Sequence, residues 1–306
     1  MKKGNNLEPF LLERISTESN VCDVFAKDFD LTWMFNDNKK HINTKKFSII
    51  PMERLSPGRT DDGDVTYLYN NENFRCDDFI NSHNGKHILF AGCSETEGVG
   101  GNIEQVWSKM LYDKLSINNN LSGFFSIARS GYGWQKIISN AMIYFEKFGY
   151  PEYMFILLPQ VGRLYEWNNN NKTYMYVQKY TEAHLGREKN LPDELPLDNY
   201  FVELINFTIS WQLFEKFCKS NNIKLLWTTW EHVDSVNIKT YNTFENFFNL
   251  DPDECMDYIK KQYTQNNRTI DKNDVSKRDG HSGTFINEYW SGKFENRIKE
   301  LGWLND

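Results

Sequence analysis

Residues 87–111 read HILFAGCSETEGVGGNIEQVWSKML, and their order decides the fold. Ile88-Leu89-Phe90-Ala91 is an apolar run of the length of a buried strand. Gly92-Cys93-Ser94 follows at once, then a polar turn rich in glycine, through Gly98, Gly100 and Gly101. Asn102 is a candidate N-cap, and beyond it Ile103, Val106, Trp107, Met110 and Leu111 recur at helical spacing. A strand that ends in a small-residue turn and feeds a helix puts that turn at the carboxyl edge of a sheet. Open α/β sheets bind their ligands at that edge. Ser94 lies on the turn, so the pattern predicts a hydroxyl presented to the outside. Taken alone, a Ser in such a turn is more often a turn or cap residue than a nucleophile, and the rest of the chain has to decide.

The same rhythm recurs downstream. Gly123–Ala128 reads as a second strand that ends in Arg129-Ser130-Gly131-Tyr132-Gly133 and enters a helix bearing Ile137, Ile138, Ala141, Met142 and Phe145. Tyr153–Leu158 is a third strand, closed by Pro159. Tyr200–Cys218 reads as a helix and Ile223–Trp230 as a fourth strand. A last helix, with Phe285, Tyr289, Trp290, Phe294 and Ile298, follows Asp279-Gly280-His281-Ser282-Gly283. Strands alternating with helices of this length predict a parallel sheet covered on both faces. Right-handed crossovers gather the strand-end loops on one edge. Residues 164–199 and 231–277 read as polar excursions from this domain.

Upstream the character changes. Phe29–Phe35, Phe47–Met52 and Val65–Tyr69 read as strands separated by turn residues, after a weakly amphipathic lead over residues 1–20. Residues 1–85 are therefore expected to be a β-rich N-terminal arm or lobe, and 86–306 an α/β domain, joined near the NSHNG stretch at 81–85.

Bulk properties narrow the function. A chain of 306 residues, 40% hydrophobic and 15% aromatic, can bury a sizeable core and is not of disordered composition. The net charge of −7 leaves no basic surplus to neutralise phosphates, so nucleic acid is not an expected partner. No apolar run reaches the roughly 18 residues of a membrane span, and the basic start lacks an apolar h-region. The expectation is a protein with no signal peptide and no membrane association, cytoplasmic or part of a virion. The five cysteines are scattered, with no C-x-x-C pair, so neither a zinc site nor a disulfide framework is expected. The acidic stretch Asp271–Asp274 lacks the ligand spacing of a calcium loop. No cofactor or metal is expected.

The loops Gly92–Gly98, Ala128–Gly133, Pro159–Arg163 and those after Trp230 would meet at the carboxyl edge. Serine hydrolysis needs a hydroxyl, an imidazole to take its proton, an acid to orient the imidazole, and donors aimed at the developing oxyanion. Ser94, His281 and Asp279 supply the first three. The N–H groups of Ser94 and Gly131 are candidate oxyanion donors. His232, with Asp234 or Glu231 beside it, is the rival base. His41, His83, His87 and His184 are expected at the surface or in turns. Glu95 and Glu97 flank Ser94 and suit either a glycosidase pair or plain surface charges, of which the second is the expectation. Trp167, with Tyr165, Tyr174 and Tyr176, suits a sugar-stacking wall or packing beneath its own loop equally well. Cys93, at a buried strand end, is expected to be inert packing rather than a nucleophile.

These residues bear a resemblance to the SGNH hydrolases, the GDSL-type esterases. Gly92-Cys93-Ser94-Glu95-Thr96-Glu97-Gly98 matches that family's first block, Gly-Asp-Ser-x-Thr-x-Gly, except at Cys93. Glu104-Gln105-Val106-Trp107 resembles the Glu-x-x-Trp helix start of a microbial and phage branch. Ser126-Ile127-Ala128-Arg129-Ser130-Gly131 keeps the last glycine of the second block, and His281-Ser282-Gly283 matches the closing His-x-Gly. Tyr69-Asn70-Asn71-Glu72-Asn73-Phe74-Arg75 is similar to that branch's lead-in.

The resemblance implies a flavodoxin-like three-layer α/β/α fold and ester hydrolysis without a cofactor. Ser94 would be the nucleophile, Gly131 an oxyanion donor, His281 the base and Asp279 its orienter. The implied substrate is an acylated glycan or small ester. Three departures stand out. Cys93 replaces the aspartate that steadies the turn. Pro159-Gln160-Val161-Gly162-Arg163 replaces the third block and its oxyanion asparagine, leaving Gln160 as a substitute donor and Arg163 as a charge stabiliser or substrate contact. Asp279 precedes His281 by two residues rather than three. Glu95 and Trp167 are further candidates for substrate contact. Two alternatives stand beside the esterase. One is an O-acyltransferase. The other is a catalytically eroded structural or binding protein on the same fold, such as a phage virion component held in a larger assembly through its N-terminal arm.

Overall fold

The computed structural model describes residues 47–50, 65–72, 74–80, 85–161, 163–168, 173–178, 197–230, 240–265 and 281–304. The elements in chain order begin with β1 (Phe47–Ile50), β2 (Val65–Leu68), β3 (Ile88–Gly92) and the one-turn helix α1 (Ser94–Glu97). A 3₁₀ turn at Ile103–Gln105 leads into α2 (Trp107–Ser116), then β4 (Phe125–Ser126), α3 (Trp134–Phe148) and β5 (Tyr153–Leu158). The chain continues through β6 (Arg163–Asn168), β7 (Thr173–Gln178), α4 (Leu197–Ser220) and β8 (Lys224–Thr229). It ends with α5 (Pro252–Gln265) and α6 (Thr284–Glu300).

The central sheet has the order β4-β3-β5-β8, and every neighbouring pair is parallel. Alternation along the strands splits the apolar side chains between two cores, as a period of two requires. Leu89, Ala91, Met154, Ile156, Leu158, Leu225 and Trp227 pack with Ile137, Ala141 and Tyr144 of α3 and Trp211 and Phe214 of α4. Ile88, Phe90, Phe155, Leu157 and Leu226 pack on the other side with Trp107 and Leu111 of α2, Ile259 of α5 and Phe294 of α6. Trp107 stacks on Phe294 with ring centroids 4.6 Å apart, which joins α2 to α6 from opposite ends of the domain's sequence. The predicted α/β/α layering is therefore what the chain forms.

Several expectations change in detail. The second strand pairs only at Phe125–Ser126, and its flanks run on as loop. Asn102 starts a 3₁₀ turn, its N–H donating to the Gln105 side chain at 3.2 Å, and the helix proper begins at Trp107. The polar excursion at 164–199 contains an antiparallel hairpin, β6–β7, in place of the expected loop. The excursion at 231–277 contains α5. His87, expected at the surface, is 6% exposed, shares a hydrogen bond with the Tyr144 hydroxyl and meets Phe125 edge-on. The strands expected at Phe47–Met52 and Val65–Tyr69 are present as an antiparallel pair, with Phe47 opposite Leu68. The strand expected at Phe29–Phe35, the lead at 1–20, and His41, His83 and His184 lie outside the described residues.

Candidate active site

Only Cys93 separates β3 from α1, and this abrupt turn sets the position of Ser94. Gly92 makes the turn possible, because a Cβ there would sit 2.1 Å from the Thr96 hydroxyl and 2.8 Å from the Leu157 carbonyl oxygen. Gly98 closes α1 in the left-handed conformation, φ 79°, its N–H donating to the Ser94 carbonyl at 2.9 Å. A Cβ on Gly98 would also lie 2.0 Å from Cγ2 of Val106. Gly98→Ala is accordingly expected to cost about 1–3 kcal/mol, from backbone strain and overpacking together. A denaturant midpoint that does not move would contradict this.

Ser94 opens α1 and retains 4% of its surface, so the turn is more enclosed than the sequence pattern predicts. Its neighbours account for this. Glu95 is 7% exposed and Glu97 2%, which corrects the expectation of two solvated surface charges. Each serves a different loop. Oε2 of Glu95 accepts the Ser282 N–H at 3.1 Å, the residue after His281. Oε2 of Glu97 accepts the Ser130 N–H at 2.6 Å, the residue before Gly131. Oε1 of Glu97 accepts the Tyr69 hydroxyl at 3.2 Å and lies 3.7 Å from Nη1 of Arg129. Arg129 covers the Tyr69 ring at 4.8 Å. Burial works to lower the Arg129 pKa, yet the Glu97 carboxylate, with Tyr69 and Tyr132, holds it above the ordinary arginine value.

The lead-in segment locks the same turn from outside. Asn70 folds its own backbone into a tight turn, its Oδ1 accepting the N–H groups of Glu72 at 3.0 Å and Phe74 at 2.9 Å. That presents Arg75, which donates to the carbonyls of Glu97 at 3.2 Å, Gly98 at 2.7 Å and Gly101 at 2.9 Å. Trp107 adds a tie, its indole N–H reaching the Thr96 hydroxyl at 3.2 Å. Asn287 links α2 to the His281 loop: its Oδ1 accepts the Trp107 N–H at 2.9 Å, and its Nδ2 donates to the Gly283 carbonyl at 2.8 Å.

The first-block turn thus touches the closing His-Ser-Gly loop through Glu95, and the second-block loop through Glu97. Gly131 is buried with φ 79°, in the loop that Glu97 holds. Gln160 and Arg163 group at the ends of β5 and β8, where the Arg163 backbone lies against Gly133 of the second-block loop, 2.0 Å from where a Cβ on that glycine would sit. Nε of Arg163 donates to the Gln160 side-chain oxygen at 2.6 Å, and the guanidinium covers the Trp230 ring at 5.1 Å. That bond turns the carbonyl end of the Gln160 amide to Arg163, so its NH₂ end faces away from the arginine. Trp167 lies on β6 opposite Tyr174, and Tyr165 lies opposite Tyr176, so the four positions share one face of the hairpin. Cys93 is fully buried, in line with packing, with its sulfur 3.9 Å from the Ser94 hydroxyl oxygen. Asp279, His232, Glu231, Asp234, Gly162 and Asp271–Asp274 lie outside the described residues.

Among the described residues no cluster of His, Cys, Asp or Glu has the makings of a metal site. Among them, too, no helix is long and apolar enough to cross a membrane. Sequence reasoning missed Arg129 and the inward roles of Glu95 and Glu97. The signal was present only in part, as the Tyr69-to-Arg75 lead-in.

No family model matches this chain, and no curated protein does. Among solved structures, an esterase EstA from Pseudoalteromonas sp. aligns with TM-score 0.40 at 13% identity, over 70% of this chain and 97% of its own. The protein TesA aligns with TM-score 0.40 at 11% identity, over 70% and 98%. A carbohydrate esterase aligns with TM-score 0.39 at 10% identity, over 70% and 68%.

Proposed function

We propose that this chain is a serine ester hydrolase of the SGNH type that removes acyl groups from a glycan or small ester. The observation that carries the reading is the Glu95–Ser282 hydrogen bond, which ties the turn bearing Ser94 to the loop bearing His281 across 187 residues. In the reading, Oγ of Ser94 attacks the ester carbonyl while His281 takes its proton. The N–H groups of Ser94 and Gly131, with the Gln160 amide, receive the developing oxyanion. Collapse expels the alcohol, protonated by His281, and leaves the acyl group on Ser94. A water deprotonated by His281 then releases the acid. Asp279 orients the imidazole, and Arg163, Glu95 and Trp167 are the candidates for holding the substrate. The scheme uses no metal or organic cofactor.

A fluorophosphonate probe and a short-chain nitrophenyl ester test the reading. Labelling and turnover that vanish in Ser94→Ala are the expected result; a folded wild type that neither labels nor turns over sinks it. Activity is also expected to fall in His281→Ala and to survive in His232→Ala; the reverse would transfer the base to His232. Faster transfer of the acyl group to an added glycan than to water would make the chain an acyltransferase.

One observation favours the second reading, an eroded binding or structural protein such as a virion component. The third-block asparagine is absent, and the amide of Gln160 that would replace it is tied to Arg163 through its oxygen, so the arginine sets the direction of its NH₂. Loss of one oxyanion donor costs about 3–4 kcal/mol in the barrier elsewhere. An unlabelled wild type would favour this reading.

A further inference from the structure

α1 is a single turn, yet it carries Ser94 and two buried carboxylates. Glu97 is the more enclosed of the two. Its side chain and that of Arg129 are each 1% exposed. Removing two charges from water is expensive, and apolar side chains of equal volume would commonly hold such a site at least as well. The ion pair is therefore a poor device for stability alone. It does achieve something an apolar pair cannot. A carboxylate accepts a short charge-assisted bond from a backbone N–H, here Ser130 at 2.6 Å, and fixes that peptide in place. The next N–H in the chain is that of Gly131, whose φ of 79° is the conformation this loop depends on. Ser94 and Glu97 are the first and last residues of α1, so hydroxyl and carboxylate ride on the same rigid turn, which Arg75 clamps through the Glu97 and Gly98 carbonyls.

We propose that Glu97 is a positioning residue that sets the distance between the Ser94 hydroxyl and the Gly131 N–H by anchoring the Ser130 peptide. The inference rests on the hydrolase reading of Ser94 and Gly131. Arg129 and Tyr69 hold the carboxylate in the orientation that Ser130 requires. A displacement of about 1 Å at a reacting centre is enough to cost on the order of a hundredfold in rate. A neutral amide at position 97 would still accept from Ser130, but more weakly, and would release Arg129.

The test compares wild type, E97Q, Tyr69→Phe and a control, Ile298→Ala, on fluorophosphonate labelling rate and on kcat and KM for a nitrophenyl ester. Ile298, on α6, is 1% exposed and belongs with Phe294 to the core between that helix and the sheet, so its truncation lowers stability without touching the turn. The expected result for E97Q is a kcat and labelling rate lower by ~10-fold or more at unchanged KM. Ile298→Ala should lose thermal stability and keep kcat. E97Q within twofold of wild type in kcat overturns the proposal while leaving the hydrolase reading intact. A wild type that does not label removes both. Should E97Q fail to fold, Tyr69→Phe decides: it keeps every charge and removes only the hydroxyl 3.2 Å from Glu97. A several-fold fall in its kcat sustains the proposal, and an unchanged kcat overturns it.

Discussion

Replacing Arg129 with methionine is expected to lower the unfolding free energy by about 3–5 kcal/mol, the cost of leaving a buried charge without its partner. Arg129 and Glu97 are enclosed together, 3.7 Å apart, at the junction of β3, the second-block loop and the Tyr69 lead-in. At that distance the pair attracts mainly as two charges, and the shorter bond from Glu97 goes to Ser130 instead. With Arg129 gone, Ser130 and Tyr69 still donate to Glu97, but neither carries the opposite charge. The face of Tyr69 also loses its cation, a contact worth about 0.5–2 kcal/mol. The diagnostic is the double variant, Arg129→Met with Glu97→Leu. It removes both charges, and its stability should exceed that of Arg129→Met alone. Urea unfolding of wild type, the two single variants and the double variant gives the coupling directly. If Arg129→Met costs less than about 1 kcal/mol, water reaches the pair and the enclosed ion pair described above is wrong.

The fold was legible where burial leaves a one-dimensional signature. β5 lies between β3 and β8, so it reads as an unbroken apolar run with the expected ends, and β8, at the sheet edge, is marked by Leu225-Leu226-Trp227 and ends within one residue of the expected limits. β4 pairs over two residues, too few for composition to mark its limits. The β6–β7 hairpin, RLYEWN and TYMYVQ, lacks a clean period of two, and the Asn-rich residues 168–171 from the end of β6 onward give the stretch the look of a loop. Glu95 and Glu97 were illegible for a different reason. A carboxylate on a glycine-rich turn is solvated unless something distant covers it. What covers these two comes from Ser282 in one case, and from Ser130, Arg129 and Tyr69 in the other. His87 is the same case, since nothing near it in sequence announces Tyr144. Periodicity reports which face of an element is buried. It does not report which polar partner meets it there, and sites are built from such partners.

Lys136→Met is expected to raise stability by roughly 2–3 kcal/mol below pH 8, with the gain disappearing as the pH approaches 10.5. Lys136 sits in the first turn of α3, and burial pulls its amine from 10.5 down to about 8. The helix N-terminus opposes a cation as well. The Tyr132 ring, 6.0 Å away, offers some compensation, and among the described residues no carboxylate pairs with the ammonium. The sign follows from proton counts. Between pH 8 and 10.5 the unfolded chain binds a proton at this lysine that the folded chain does not, so unfolding becomes harder as pH rises through that window. Below pH 8 both forms are protonated and the folded state bears the full desolvation cost. A tenfold change in proton affinity corresponds to about 1.4 kcal/mol, so the fall from 10.5 to about 8 sets the upper limit near 3 kcal/mol. Methionine keeps an unbranched chain one atom shorter and removes the charge. Its advantage should therefore be present at neutral pH and gone at pH 10.5, and subtracting wild type from variant cancels the other lysines and the tyrosines. An advantage of the same size at both pH values would mean that packing, not an enclosed ammonium, distinguishes the two side chains.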